Sequence, residues 1–214
     1  MEKFKIVATI GFTSDFILRR VFDLGKDKVV EVIPVALDTD KDSRTRIEKA
    51  FINIENVLKT LDIKIHHLEF IKLEEAIPRG REILLRATDE YLVDLFLTGG
   101  PRILTTIMLL SALTLPESVA SKVKITSYGE AFEGKISLSA DVIISYIKLE
   151  EADKKILLGI KNLGKERVSG SELISALSMS KSTVYKKLRE LEGKGLVKNI
   201  DRDWGLNEDL KQVV

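Results

Sequence analysis

The chain has 214 residues, of which 44 % are hydrophobic and 31 % charged, and its net charge is +1. That balance excludes a disordered chain and a uniformly basic nucleic-acid coat, and leaves room for one large domain or for a medium and a small one. The absence of cysteine rules out disulfides, thiolate metal sites and cysteine nucleophiles.

The opening MEKFKIVATIGF is too short and too charged for a signal peptide, and no apolar run reaches bilayer-spanning length. A cytoplasmic protein with no membrane partner is expected. Short apolar runs read as strands at KIVATI (5–10), VVEVIPVAL (29–37), IKIHHLEF (63–70), YLVDLFLT (91–98) and VKITSY (123–128). Between them, helical periodicity covers TSDFILRRVFDLG, KDSRTRIEKAFINIENVLKTL, KLEEAIPRGREILLRA and PRILTTIMLLSALTL, with Pro78 expected to bend or delay the third helix. EAFEGKISLS (130–139), entered through a turn at Gly134, fits an antiparallel edge strand. This alternation predicts an α/β domain with a mostly parallel, Rossmann-like sheet covered on both faces, over residues 1–145.

The second domain, 146–214, has a different texture of short helices with Ser/Gly turns. VSGSELISALSMSKSTVYKKLRELEGKGLVKNIDRDWGLN has the pattern of a winged helix-turn-helix. Ser169 or Ser171 can cap a short helix, and KSTVYKKLRELEGKG forms a second, closed by Gly193 or Gly195. Val184, Leu188 and Leu191 make its buried stripe. Ser180, Lys181, Ser182, Thr183, Tyr185, Lys186, Lys187 and Arg189 are the candidate DNA contacts on this helix, with Lys198 and Arg202 near the tip of the ribbon that follows. Residues 178–202 hold seven Lys/Arg against three Asp/Glu. The charge, hydroxyls and wing point to double-stranded DNA, although winged helices also serve as protein-interaction modules.

In a doubly wound sheet, the first and fourth strands are neighbours and ligands bind beyond their carboxyl ends. The loops there are IGFTSD (10–15) and TGGPR (98–102). Gly99 and Gly100 let backbone approach a ligand, Pro101 suits a first helical position, and Arg102 offers a fork for phosphate oxygens. Gly11, Thr13 and Ser14 add hydroxyl and backbone donors, and Phe12 a flat face. The combination fits a phosphodiester and a base; two tight strand-to-helix turns beside an exposed arginine are the plainer alternative. No G-x-G-x-x-G, P-loop or serine nucleophile elbow is present. His66 and His67, if in a strand, face opposite sides, so no metal site and no cofactor are expected.

A Rossmann-like domain with IGFTSD after its first strand and TGGPR after its fourth, followed by a winged helix, resembles the CRISPR-associated Rossmann-fold (CARF) regulators, and most of all the archaeal CARF–winged-helix transcription factors of type I CRISPR systems. The resemblance covers nearly the whole chain. It implies a homodimer whose Rossmann domains share one pocket for a cyclic oligoadenylate, commonly the tetra-adenylate. It also implies ligand contacts for Gly11, Phe12, Thr13, Ser14, Thr98, Gly99, Gly100 and Arg102. Neither His66 nor His67 has an Arg at the four-to-six-residue spacing of the ribonuclease relatives. The expectation is a non-enzymatic, ligand-sensing antiviral transcriptional regulator. A ring nuclease tethered by its winged helix is the rival, and a protein-binding module is the third reading.

Overall fold

The computed structural model describes residues 2–129 and 134–214. The chain divides into two compact units after Ala140. This lies ahead of the boundary expected after residue 145, because a helix begins at Ala140 that periodicity did not reveal.

The first unit runs β1 (Phe4–Thr9), α1 (Asp15–Leu24), β2 (Val29–Leu37), α2 (Lys41–Thr60), β3 (Lys64–Ile65), β4 (Glu69–Ile71), α3 (Ala76–Ala87), β5 (Leu92–Phe96), α4 (Arg102–Leu113), a short α5 (Glu117–Ala120), β6 (Val123–Tyr128) and β7 (Lys135–Ser139). The strand order is β3-β2-β1-β5-β6-β7, with β4 also on β2. Only β7 is antiparallel, pairing with β6 as the expected edge strand; the start of that predicted segment, residues 130–133, lies outside the described residues. A parallel sheet is buried on both faces, which explains the near-continuous apolar runs of β1, β2 and β5. On one face Ile6, Ala8, Val32 and Ala36 meet Ile17 and Val21 of α1 and the stripe Ile47, Ala50, Ile54, Leu58 of α2. Full burial of each large aliphatic chain in that stripe contributes about 1.5–3 kcal/mol.

The strand expected over 63–70 is broken into β3 and β4, and Pro34 supplies the reason. The Val32 carbonyl accepts the His66 N–H, while the Val35 carbonyl accepts the Ile10 N–H on the β1 side. Backbone groups alternate sides along a strand, so position 34 faces the third strand, and proline has no N–H to offer there. Pairing stops after Ile65 and resumes at Glu69. Pro78 sits in the first turn of α3, whose start is delayed by a 3-10 turn at Leu73–Glu75.

The second unit contains α6 (Ala140–Ile147), α7 (Glu151–Asn162), β8 (Val168–Ser169), α8 (Gly170–Leu177), α9 (Lys181–Gly193), β9 (Val197–Ile200) and β10 (Asp203–Leu206), with an antiparallel sheet in the order β8-β10-β9. Val142 of α6 joins its core, with Tyr146 packed against it, so α6 belongs to this unit. Val184, Leu188 and Leu191 of α9 are buried there with Ile156, Leu157, Ile160 and Trp204. Ser169, not Ser171, caps α8: its side chain accepts the Glu172 N–H while the Glu172 carboxylate accepts the Ser169 N–H, a reciprocal capping box. Gly195, with φ +71°, terminates α9, while Gly193 is its last helical residue. The Gly195 N–H reaches the Glu192 carbonyl and the Leu196 N–H the Leu191 carbonyl, the paired bonds of a Schellman turn.

Candidate functional site

β1 and β5 lie side by side, with Val7 opposite Leu95 and Ala8 opposite Phe96. Their outgoing loops therefore start level, and glycine lets them touch. A Cβ on Gly11 would stand 2.9 Å from the Gly100 Cα, and one on Gly99 would stand 2.5 Å from the Thr9 carbonyl oxygen. Gly100 also has φ +81°, a conformation that disfavours any side chain. Beyond this seam opens a crevice of about 550 Å³. Gly11, Phe12, Thr13, Thr98, Gly99, Gly100 and Pro101, all from the two loops singled out in the sequence, line it.

Three expectations change. Ser14 is buried as the residue preceding α1 and does not line the crevice. Pro101 is the N-cap of α4, one position earlier than expected. Arg102 takes the first helical position and is exposed, outside the lining. What α4 offers instead is backbone: the N–H groups of Arg102 and Ile103 precede the first intrahelical bonds, which the Leu104 and Thr105 N–H groups make to Pro101.

The other wall comes from residues that motif reading missed: Phe16, Leu37, Thr39, Asp40, Ser43 and Ile47. Asp40 caps α2, its Oδ1 accepting the Ser43 N–H at 2.9 Å. This backbone bond, with the Ser43 hydroxyl, holds the Asp40 carboxyl below the usual carboxylate range. Asp40 is the one titratable side chain among the described lining residues. At the mouth, the Arg46 guanidinium sits 3.8 Å from the centre of the exposed Phe12 ring. The geometry suits binding: backbone donors and hydroxyls at one end, an apolar pocket at the other.

Thr98 is fixed from behind, its Oγ1 accepting the Tyr128 N–H at 2.9 Å. The Tyr128 hydroxyl donates to Asp23 at 2.7 Å, a bond that leads the Lys135 and Arg20 contributions in holding the Asp23 carboxyl low. Arg20 forks onto Asp94, with Nε to Oδ2 at 2.8 Å and Nη2 to Oδ1 at 2.7 Å, and both side chains are buried. No motif announces this network; an arginine within the apolar period of α1 and an aspartate within a buried strand are its only traces in the sequence.

The histidines depart from expectation. Because the 63–70 strand is broken opposite Pro34, His66 and His67 share one side, their ring centroids 3.9 Å apart, and they cluster with Glu69 with ligand atoms within 4.8 Å of one another. Both Glu69 oxygens are nevertheless taken, by Arg79 at 2.9 Å and Arg86 at 2.7 Å. Burial pushes the Glu69 carboxyl up, but Arg86 and Arg79 outweigh it and hold it below the usual range. The cluster is an ion-pair hub.

In the second unit, Ser180 caps α9, accepting the Thr183 N–H at 3.2 Å and bonding the Thr183 and Ser182 hydroxyls. Lys181, Ser182, Lys186, Arg189, Lys198 and Arg202 are exposed, and Thr183 is half-buried. Tyr185 packs against the start of α8, where a Cβ on Gly170 would stand 2.4 Å from its hydroxyl. Lys187 departs from the expected basic face. Its ammonium lies 3.1 Å from buried Asp153, 3.1 Å from Glu150 and 3.4 Å from Glu190. Asp153 first, then Glu150, holds that ammonium well above the usual lysine range. Asp201 and Arg202, with φ +56° and +75°, form the β9–β10 turn.

No helix among the described residues is long and apolar enough to cross a membrane. Comparison with the curated proteins found no match. A scan against protein-family models matches residues 5–139, from the first strand to the end of β7, to the Csa3 CRISPR-associated Rossmann-like domain. The unit that carries the glycine seam and its crevice is thus the matched one, and the chain belongs to the Csa3 CRISPR-associated Rossmann-like family.

Proposed function

We propose that this protein is a CRISPR-associated transcriptional regulator, active as a homodimer, that binds a cyclic oligoadenylate in the crevice and double-stranded DNA through the second unit. The observation that carries the reading is the seam of Gly11, Gly99 and Gly100. Two backbone segments are brought so close that a Cβ on Gly11 or Gly99 would force them apart, leaving an open cleft under the start of α4. Such a cleft suits phosphodiester oxygens, which need donors at short range. Ile103 and Leu110, seven positions apart, are exposed on α4, whose start opens on the crevice. That apolar stripe supports pairing of two copies there, and a two-fold axis matches the symmetry of a cyclic ligand.

The DNA reading rests on the second unit. After α6, its order of helix–strand–helix–helix–strand–strand with an antiparallel sheet supports a winged helix, with α9 as the recognition helix and β9–β10 as the wing. Lys181, Lys186 and Arg189 then meet phosphates, while Ser182 and Thr183 stand at the helix start, where base edges are reached. Arg202 supports the same reading. A non-glycine residue in the left-handed region costs about 1 kcal/mol or more, and a cation kept at a wing tip at that cost points to use.

The test is DNA binding by the full chain on its own upstream region, across a salt series, with and without cyclic tetra-adenylate. Ligand-dependent affinity with no ligand breakdown supports the regulator. Breakdown to linear products makes the protein a ring nuclease instead. Binding of neither DNA nor ligand overturns the proposal. Lys186→Ala should lower the salt slope by about one unit on all duplexes, and Thr183→Ala should cost about 1–3 kcal/mol on the operator alone.

A further inference from the structure

The crevice has two chemically different ends, because β5 and β2 flank β1 on opposite sides. At the β5 end stand the glycine backbone and the start of α4. At the β2 end the floor is Phe16 with buried Leu37 and Ile47, and the lip carries the Asp40 carboxylate. A phosphate is repelled by that carboxylate and gains nothing from an aliphatic floor. A nucleobase gains from both, since its flat face buries apolar surface and its edge can donate a hydrogen bond. Resting on the nucleotide reading of this site, we infer that the β2 end holds a base, that Arg46 and Phe12 form the stack covering it, and that Asp40 selects a base with an exocyclic amine.

The selection follows from hydrogen-bond inventory. An ionised carboxylate is acceptor-only, with about four lone-pair sites, so capping α2 leaves acceptor capacity at the lip. Asp40 is exposed, and an exposed carboxylate is ionised in neutral solution. The amine of adenine donates to it; a carbonyl at the same position of the ring opposes it. Sites built to accept a hydrogen bond reject the analogue lacking the donor far more strongly than apolar pockets reject a missing methylene. The Phe12–Arg46 pair, 3.8 Å apart, is blind to that edge and contributes equally to any base it covers.

The experiment titrates the full-length protein with cyclic tetra-adenylate and with its inosine analogue, in which the amine becomes a carbonyl. The parent prefers the adenylate by at least about tenfold, as a charge-assisted bond requires. Asp40→Asn keeps a competent helix cap but can donate as well as accept, so the preference falls to within about threefold. Arg46→Ala weakens both ligands alike, by about two- to fivefold, with the preference intact. If the parent binds neither ring, the nucleotide reading fails and this inference with it. If the parent binds both rings equally, or Asp40→Asn keeps the full preference, the base assignment alone is overturned. Unchanged affinities in Arg46→Ala overturn the stack.

Discussion

Replacing Gly99 by alanine adds one methyl group where β5 runs past β1, and the structure gives the consequence. The new Cβ would stand 2.5 Å from the Thr9 carbonyl oxygen, a backbone atom with no rotamer to escape through. Ordinary contact needs about 3.4 Å, so the two loops must separate by nearly an ångström, and overpacking of this kind costs about 1–3 kcal/mol. The backbone at Gly99 is not left-handed, so alanine recovers about 0.4–1 kcal/mol by restricting the unfolded chain. The net loss is therefore about 0–2.6 kcal/mol, or a melting temperature lower by up to about 10 °C at this chain length. Binding should suffer more, by about 100-fold, because the donors on both loops move by the same ångström. Gly193→Ala is the control: nothing beyond its own stretch of helix lies within 4 Å of its Cβ, and it should stabilise the protein slightly. Calorimetric melting and ligand titration on the two variants make the comparison. A Gly99→Ala protein with unaltered melting and affinity would refute the seam as the feature that shapes the crevice.

Lys187→Ala should act on folding and leave DNA contacts alone: it strips the amine from buried Asp153, costing about 2–4 kcal/mol, and a salt slope unchanged in the folded fraction distinguishes it from Lys186→Ala. Arg202→Gly creates an Asp-Gly turn where both residues are left-handed, so it should gain about 1 kcal/mol of stability in denaturant titration while weakening DNA binding. The Glu172 carboxyl is lowered from 4.5 to about 2, first by Lys165 and then by the Ser169 N–H and hydroxyl. A depressed folded-state pKa gives stability that is present above 4.5 and is lost as pH falls through about 2. Denaturation between about pH 5 and pH 2 should steepen accordingly, and Glu172→Gln should flatten the profile over that window.

The parallel sheet was legible because apolar β-branched runs and helical periods alternate without ambiguity, and the glycine loops because few residues other than glycine tolerate such contact. Pro34 was visible in the sequence, yet its effect falls on another strand; only the pairing direction shows that its missing N–H faces His66. The crevice was legible on the β1 and β5 sides and not on the β2 side. Thr39, Asp40 and Ser43 lie at the entry to α2, and Phe16 and Ile47 within helical periods, where no ligand motif marks them. Arg102 drew attention as a charge beside two glycines, although the helix start it opens matters more than its side chain. Lys187 belonged to the basic face by composition alone, since the carboxylates that capture it lie on α7 and on its own helix. Charge counts along a segment carry no information about partners brought in by folding.

The most direct test of the account is the stoichiometry of cyclic tetra-adenylate binding, measured by calorimetry on protein whose mass in solution is determined in parallel. The account predicts a dimer that saturates at one ligand per two chains, with Gly99→Ala weakening that binding by about 100-fold. Saturation at one ligand per chain, a monomer that binds, or no heat at all would contradict it.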